Sequence, residues 1–578
     1  MVGMANLLRI PGIQTHTATL IDYSSAVVMW QLRCVPSLLF LLAATAFVLP
    51  SGSDGPLRAA LRVQPENSKY STPGLDREWK LPPNPNSTHN LIFNSVSGLL
   101  HRWPNTLRRN GALDFYVLHV MASQQSFPAG HSLVPATIPT GTILYHGRID
   151  SQIPSSPDWL AFDFEHAYIF CRGPCYVISL QVKRDLRLVY FDGSSAAKMK
   201  DGPLDSQDVI AWGRPQPDKY FSEKERIKAL CDWGRPFGLD GFVRMEFHLC
   251  VHAISTPLLW VLTDDSEVMI CDFLDAMEVV TFLNLIPKNQ TTLGRRRPGI
   301  PFPLPPSLPH KPPGWRGSLP NGYRSAPEAY LAGSWHDHAP GETRVRLDYS
   351  GLVTFYDPSL SSLVEARYGK DRLHLRLEGI SVLDSERVRA ELQSVLAREE
   401  DRGSGIDWGS IARVVMERYG GRLEYLHFLL SSNTFVDEFE RAAVVRMQLL
   451  VMLAPYITTA DVPEQLPPSA NPSWAAPIAL RCATTQTSHI PLGLLTPQEA
   501  RIHAAVENTL HEICRRLALV WVEFFDVELA DEVGTTKATE VGRGHIAELM
   551  AWLDWSVWVR CEPGCGLGVR RLILRFPW

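Results

Sequence analysis

A chain of 578 residues is too long for a single core, and its length alone suggests roughly two to four domains. Hydrophobic residues at 45% and charged residues at 20% match a folded protein and exclude wholesale disorder. Lys plus Arg (56) against Asp plus Glu (61) leave a net charge of -5, so no broad basic field exists and nucleic acid is excluded as a partner class.

Residues 1–28 carry no targeting logic and read as an extension from a start placed too early. From Met29 the pattern changes. Arg33 supplies a positive charge, Val35 to Leu49 form an apolar run, and Pro50, Ser51 and Gly52 break it, which is the order of a signal peptide. The run is shorter than the ~20 residues that span a bilayer comfortably. No small-x-small site follows Leu49, so residues 29–50 serve either as a cleaved signal peptide or as an uncleaved signal anchor that makes the membrane a partner. Both place the body in the lumen or outside the cell. Residues 51–90, rich in Pro, Asn and Ser, read as a stalk. Sequons at Asn86, in the stalk, and at Asn289, further along, are glycosylation candidates if the body is luminal.

Residues 91–285 form the first folded region, an α+β domain. Short β-rich runs occur at Gly141 to Tyr145, Cys175 to Val182, Leu186 to Phe191 and Glu267 to Phe273, with a helix from Ser222 to Trp233 between them. Residues 286–325 are a Pro-rich linker that favours polyproline II. The triplet Arg295 to Arg297 reads as a solvated charge run rather than a processing site, because Pro298 follows it directly. Residues 326–578 are expected to be a mainly α-helical second domain with a few strands, around Thr343 to Tyr356 and Leu373 to Leu377. Asp384 is the expected cap of a helix presenting Val388, Leu392, Val395 and Leu396, and further helices follow at Ile411 to Leu430 and Glu438 to Leu453. Thr496-Pro-Gln-Glu499 is a capping box with Pro at the first helical position. Trp552, Trp555 and Trp558 read as stacked core aromatics.

Ten cysteines suit an oxidising compartment. Cys171/Cys175 and Cys561/Cys565 are close pairs bent by Gly and Pro, so a local disulfide is the first reading of each. Gathering of the four thiolates on zinc is the alternative.

Several familiar constellations fail. His511-Glu512 starts like a zincin helix, but Arg515 stands where the second histidine belongs, and one imidazole cannot hold zinc. His336 and His338 read as idle polar-turn residues, and Asp201, Asp205 and Asp208 lack the glycine and terminal glutamate of a calcium loop. No nucleophile elbow or P-loop occurs, and no metal site is expected.

Three segments remain, in order: Gly141-Thr-Ile-Leu-Tyr145-His146-Gly147, then Trp159 to Tyr168, then Asp265-Ser-Glu267-Val-Met-Ile270. Together they resemble the ADP-ribosyltransferases, secreted enterotoxin-like members included, and His146 points to the His-Tyr-Glu class. The resemblance covers about a quarter of the chain. It departs from the family in having Asp-x-Glu for the acidic pair and in lacking the Ser motif of the arginine-specific class. It implies NAD as cofactor and Glu267 as the catalytic carboxylate. It also implies that His146 holds the ribose beside Tyr145 and Gly147, and that Tyr168 stacks on nicotinamide. A carboxylate at that place stabilises the oxocarbenium-like state formed as the nicotinamide bond breaks. The bland readings are a backbone-satisfied His146, a core Tyr168 and a solvent-facing Glu267.

The whole chain also resembles a group of uncharacterised fungal secretory or membrane-anchored proteins, through Tyr190 to Lys198, Gly238 to Glu246 and Trp552 to Cys561. Against that group's pattern, residues 111–129 and 248–264 are extra and read as retained introns or insertions. The functional expectation is a secreted or membrane-anchored protein, either an ADP-ribosyltransferase-like enzyme or a non-enzymatic surface or wall-associated interaction protein.

Overall fold

The computed structural model describes residues 79–99, 131–246, 265–285 and 343–558, with short internal gaps. All of them belong to one compact unit, Pro73–Trp578. The targeting segment, the linker, the two extra segments, Asn86, Asn289, Cys171, Cys561, Cys565, His336 and His338 lie outside the described residues.

The chain enters through helix α1 (His89–Gly98), which begins in the last two residues of the expected stalk and continues into the expected first domain. Strands β1 (Ser132–Ile138), β2 (Ile143–Arg148) and β3 (Asp158–Ala161) follow, and β3 runs into the short helix α2 (Phe164–Ile169). Next come β4 (Cys175–Val182), β5 (Leu186–Phe191), helices α3 (Asp205–Trp212) and α4 (Glu223–Gly234), and strand β6 (Gly241–Glu246). Strand β7 (Asp265–Ile270), helix α5 (Phe273–Ala276) and strand β8 (Met277–Leu285) complete this half. Two-residue strands β9 (Arg346–Leu347) and β10 (Val353–Thr354) open the second half, which continues as α6 (Ser361–Arg367), α7 (Val382–Leu396), α8 (Trp408–Ser431), α9 (Glu438–Leu453), α10 (Ala476–Thr484), α11 (Pro497–Glu523) and α12 (Glu532–Leu553).

Among the described residues the strands form one mixed sheet in the order β10-β1-β5-β6-β7-β3-β2-β4-β8, with β9 also on β1. Only β5 and β6 run parallel there; the other pairs are antiparallel. The strand runs are apolar on both sides because both faces are covered. Val134, Leu188, Val243 and Val268 face a core shared with α1, α8 and α11, while Val189, Phe242 and Met269 face one shared with α3, α4 and α7. Gly241 allows β6 to meet β7 closely, since a Cβ there would lie 1.9 Å from the Met269 carbonyl oxygen.

The second half is mainly helical as expected, but its opening strands join the first half's sheet at β1. Residues 374–377 form no strand, which corrects the expectation for Leu373 to Leu377. At α7 the cap is Ser381, whose Oγ accepts from the Asp384 N–H, while Asp384 accepts from the backbone and hydroxyl of Ser362. The box at α11 is present in full: Thr496 Oγ1 accepts from Glu499 N–H, and Glu499 accepts from Thr496 N–H. Trp555 stacks on Trp558 at 5.2 Å and on Phe93 of α1 at 6.0 Å.

Disulfides Cys231–Cys271 and Cys482–Cys514 join separate elements, and neither was legible as a pair. Cys175 is also disulfide-bonded, and a sulfur so engaged offers no thiolate to zinc.

Candidate functional site

Strand register decides which of the expected site residues meet. Tyr145 of β2 lies opposite Ala161 of β3, Ala161 opposite Glu267 of β7, and Glu267 opposite Arg244 of β6. These four therefore share one row on one face of the sheet, with Tyr145 and Glu267 two strands, or about 10 Å, apart. Tyr168 on α2 packs beside Tyr145 and Trp159 over Ala161 on that face. Tyr145 sits edge-on to Phe164 at 5.7 Å, and burial raises its pKa, partly offset by Arg344. Burial likewise raises the pKa of Tyr168.

His146 is one position further along β2 and so projects to the other face. There it is buried, its ring 6.2 Å from that of Phe273 and, across the strand, 5.5 Å edge-on from that of Trp159. Its Nε2 lies 3.7 Å from Asp158 Oδ2, and Nδ1 has no hydrogen-bond partner. Burial lowers its pKa, and Asp158 only partly opposes this. Gly147 simply continues the ladder opposite Val177. The fold thus gathers Tyr145, Tyr168 and Glu267 on one side and leaves His146 on the other.

Glu267 is nearly enclosed and belongs to a charge network that the sequence reading missed. Arg244 Nε donates to Glu267 Oε1 at 2.6 Å, and Arg244 Nη2 donates to Glu223 Oε1 at the start of α4. Lys198 Nζ lies 3.1 Å from Glu223 Oε2, and Arg226 Nε donates to Asp208 Oδ1 at 3.0 Å. Three cations face three carboxylates, so the cluster is neutral. Burial pushes the Glu223 carboxyl up, but Arg244 and Lys198 outweigh it and hold the pKa at about 2. Burial lowers the pKa of Arg244, yet Glu223 and Glu267 raise it further, so its charge is fixed. Arg244 stands in the Gly238 to Glu246 segment noted above, and its alternation with apolar neighbours was the available signal.

A second polar feature lies where α1, the turn after β10, the end of α6 and the end of α12 meet. A cavity of about 850 Å³ is lined there by Leu91, Tyr356, Arg367, Lys370 and Trp552, among others. Arg367 is only 8% exposed. Its Nη1 donates to Phe355 O at 2.7 Å, its guanidinium lies 4.8 Å from the Tyr356 ring centre, and its Nη2 has no partner. No carboxylate forms an ion pair with it among the described residues. Burial lowers its pKa to about 10, which Tyr356 and the buried carboxylate of Asp205 only partly resist. Nothing in the sequence marked this arginine, because its surroundings come from four distant segments.

Arg515, which replaced the second zincin histidine, is bound through Nε and Nη2 to Glu512. Among the described residues no group of three or more His, Cys, Asp or Glu is placed to hold a metal ion, and no helix is long and apolar enough to cross a membrane.

Comparison with known proteins places the chain beside uncharacterised yeast proteins. Residues 118–176 and 171–298 match the family model described as the YPL277C N-terminal domain. The chain is 26% identical over 426 residues to the uncharacterised protein YOR389W of Saccharomyces cerevisiae, covering 61% of this chain and 60% of the relative. It is 26% identical over 434 residues to the uncharacterised protein YPL277C of the same yeast, covering 61% of this chain and 77% of that protein. The match therefore spans less than two thirds of the first relative's length. None of these matches is to an ADP-ribosyltransferase, and no solved structure matches the chain.

Proposed function

We propose that this protein is a non-catalytic binding protein of the secretory pathway whose Glu267 has a structural role. The carrying observation is the Arg244–Glu267 pair at 2.6 Å, inside a neutral buried network, with His146 on the opposite face of the sheet. A carboxylate whose charge is spent on holding β6, β7 and α4 together is poorly placed to follow a developing oxocarbenium charge. Two disulfides between separate elements and the apolar run Val35 to Leu49 support the compartment.

One observation favours the second reading, an NAD-dependent transferase: Tyr145, Tyr168 and Glu267 do share a face. The same experiment separates the two. Purified protein is incubated with NAD and several acceptors while nicotinamide release is followed, with Glu267→Gln in parallel. The binding-protein reading expects no release, and a Glu267→Gln variant destabilised by roughly 3 kcal/mol in urea unfolding, because Arg244 is left short of a counter-charge. Release by wild type that falls about 10²-fold or more in a folded Glu267→Gln variant would establish the transferase instead.

A further inference from the structure

We propose that residues 569–578 of this chain dock in cis on an apolar face that helices α8 and α9 present to solvent. The inference is independent of the role of Glu267. Val414, Tyr425 and Phe428 of α8 and Met447 and Val451 of α9 are 39–54% exposed. On α8 their spacing lines them up with Gly421, where an added Cβ would meet nothing within 4 Å. Two bonds clasp the helices together, Arg418 Nη2 donating to Met452 O at 3.1 Å and Arg422 Nη1 to Gln448 Oε1 at 3.0 Å. Arg418 is one turn from both Val414 and Gly421, while Gln448 and Met452 directly follow Met447 and Val451, so the two apolar stripes border one seam. Single exposed apolar residues are ordinary, but a contiguous stripe on two neighbouring helices calls for an occupant.

The occupant follows from where the described residues end. Trp558 is the last of them, and its Nε1 donates to Gly420 O at 2.9 Å. Val557 Cγ1 lies 3.4 Å from where a Cβ of Gly420 would stand, so the chain leaves the described structure beside Gly421. Residues 559–578 can reach roughly 66 Å when extended, whereas Phe428 lies only about 10 Å along α8 from Gly421. Residues 569–578 have the matching chemistry, with Leu572, Ile573, Leu574, Phe576 and Trp578 set among Arg570, Arg571 and Arg575. Glu417 and Glu440, exposed beside the stripes, offer charges opposite to those arginines. A tethered segment also meets the face at an effective concentration on the order of millimolar, so even a weak apolar contact is occupied in cis before a second copy competes for it.

The test compares the full chain with the same chain lacking residues 569–578. Oxidation of Met447 by hydrogen peroxide, followed by peptide mass spectrometry, is expected to run several-fold faster in the shortened chain, because the segment no longer shields the thioether. A synthetic peptide of residues 566–578 is then titrated into both. It is expected to bind the shortened chain saturably and the full chain about 10-fold more weakly or less, since the tethered segment competes. Met447→Lys in the shortened chain is expected to weaken the peptide about 10-fold or more while leaving the fold intact, because that side chain is exposed. Should the shortened chain fold poorly, the full chain carrying Leu572→Ser, Leu574→Ser and Phe576→Ser gives the same comparison with every arginine kept. Equal oxidation of Met447 in full and altered chains would overturn the proposal. So would a peptide that binds both forms equally or neither, that ignores Met447→Lys, or that binds as well with its three apolar residues changed to Ser. Light scattering tests the other occupant: a dimer formed by the full chain and lost on shortening would put the segment on a second copy and overturn docking in cis.

Discussion

At the residue scale, the buried polar groups of the sheet divide into charges that are paired and charges that are not. Asp192, at the end of β5, belongs to the second kind. Burial pushes its carboxyl up to about 6, despite hydrogen bonds from Ser95 Oγ at 2.7 Å and from the backbone of Gly193 and His131. Its folded pKa thus exceeds the unfolded value near 3.9, and the folded state binds the proton more tightly. Stability is therefore lost as pH rises from about 4 to about 6, by up to roughly 3 kcal/mol from this group. Urea midpoints of wild type and Asp192→Asn across that range should show the slope reduced in the variant; equal slopes would remove Asp192 as its source. Gly241 is a steric counterpart, because any side chain there meets the Met269 carbonyl. Gly241→Ala is expected to part β6 from β7 and lower the melting temperature by several degrees.

Elements are held to their places by pairs that no single segment contains. Helix α1 is an example, since Asn90 and Asn94 donate to the last carbonyls of α12, Trp552 O and Leu553 O. Asn90, the last residue of the expected stalk, thereby becomes part of the packed structure. Strand β8 is the opposite case. It pairs with β4 along its length, with an irregularity beside Val280, but is exposed on both faces, including Val280, Phe282 and Leu283. Edge strands of this composition favour association, and a bulge restrains it. Phe282→Lys should leave the unfolding midpoint within about 0.5 kcal/mol of wild type and reduce heat-induced light scattering. A strongly destabilised variant would mean that β8 is structural rather than a bare edge.

For the whole molecule, the two halves share one sheet, because β9 and β10 return to β1 from beyond the Pro-rich segment. The disulfides reinforce opposite sides of this arrangement. Cys231–Cys271 ties α4 to the end of β7, and Cys482–Cys514 ties α10 to α11. Closing loops of 40 and 32 residues restricts the unfolded chain by about 4 kcal/mol each in the entropy model. Thermal unfolding with and without reductant should show a fall in melting temperature, and Cys231→Ser and Cys482→Ser should each reproduce part of it. A reductant-insensitive transition would show that the bridges do not form in the expressed protein.

What the sequence determined by itself was local. Strands β4 and β5, the helix after Ser222, helix α9 and the capping box at Thr496 were all legible, because alternation, helical spacing and caps act over a few residues. The cysteine count was legible as chemistry, but the partners of Cys231 and Cys482 were not, since many pairings satisfy the same spacing. Likewise Tyr145, His146 and Glu267 could be placed on strands, yet only register could tell that Tyr145 and Glu267 share a face and His146 does not. One residue of offset reverses the face, and that offset is set by pairing between distant strands. The Arg244 network and the Arg367 cavity depend wholly on such distant pairing, so they exist only once the tertiary structure has formed.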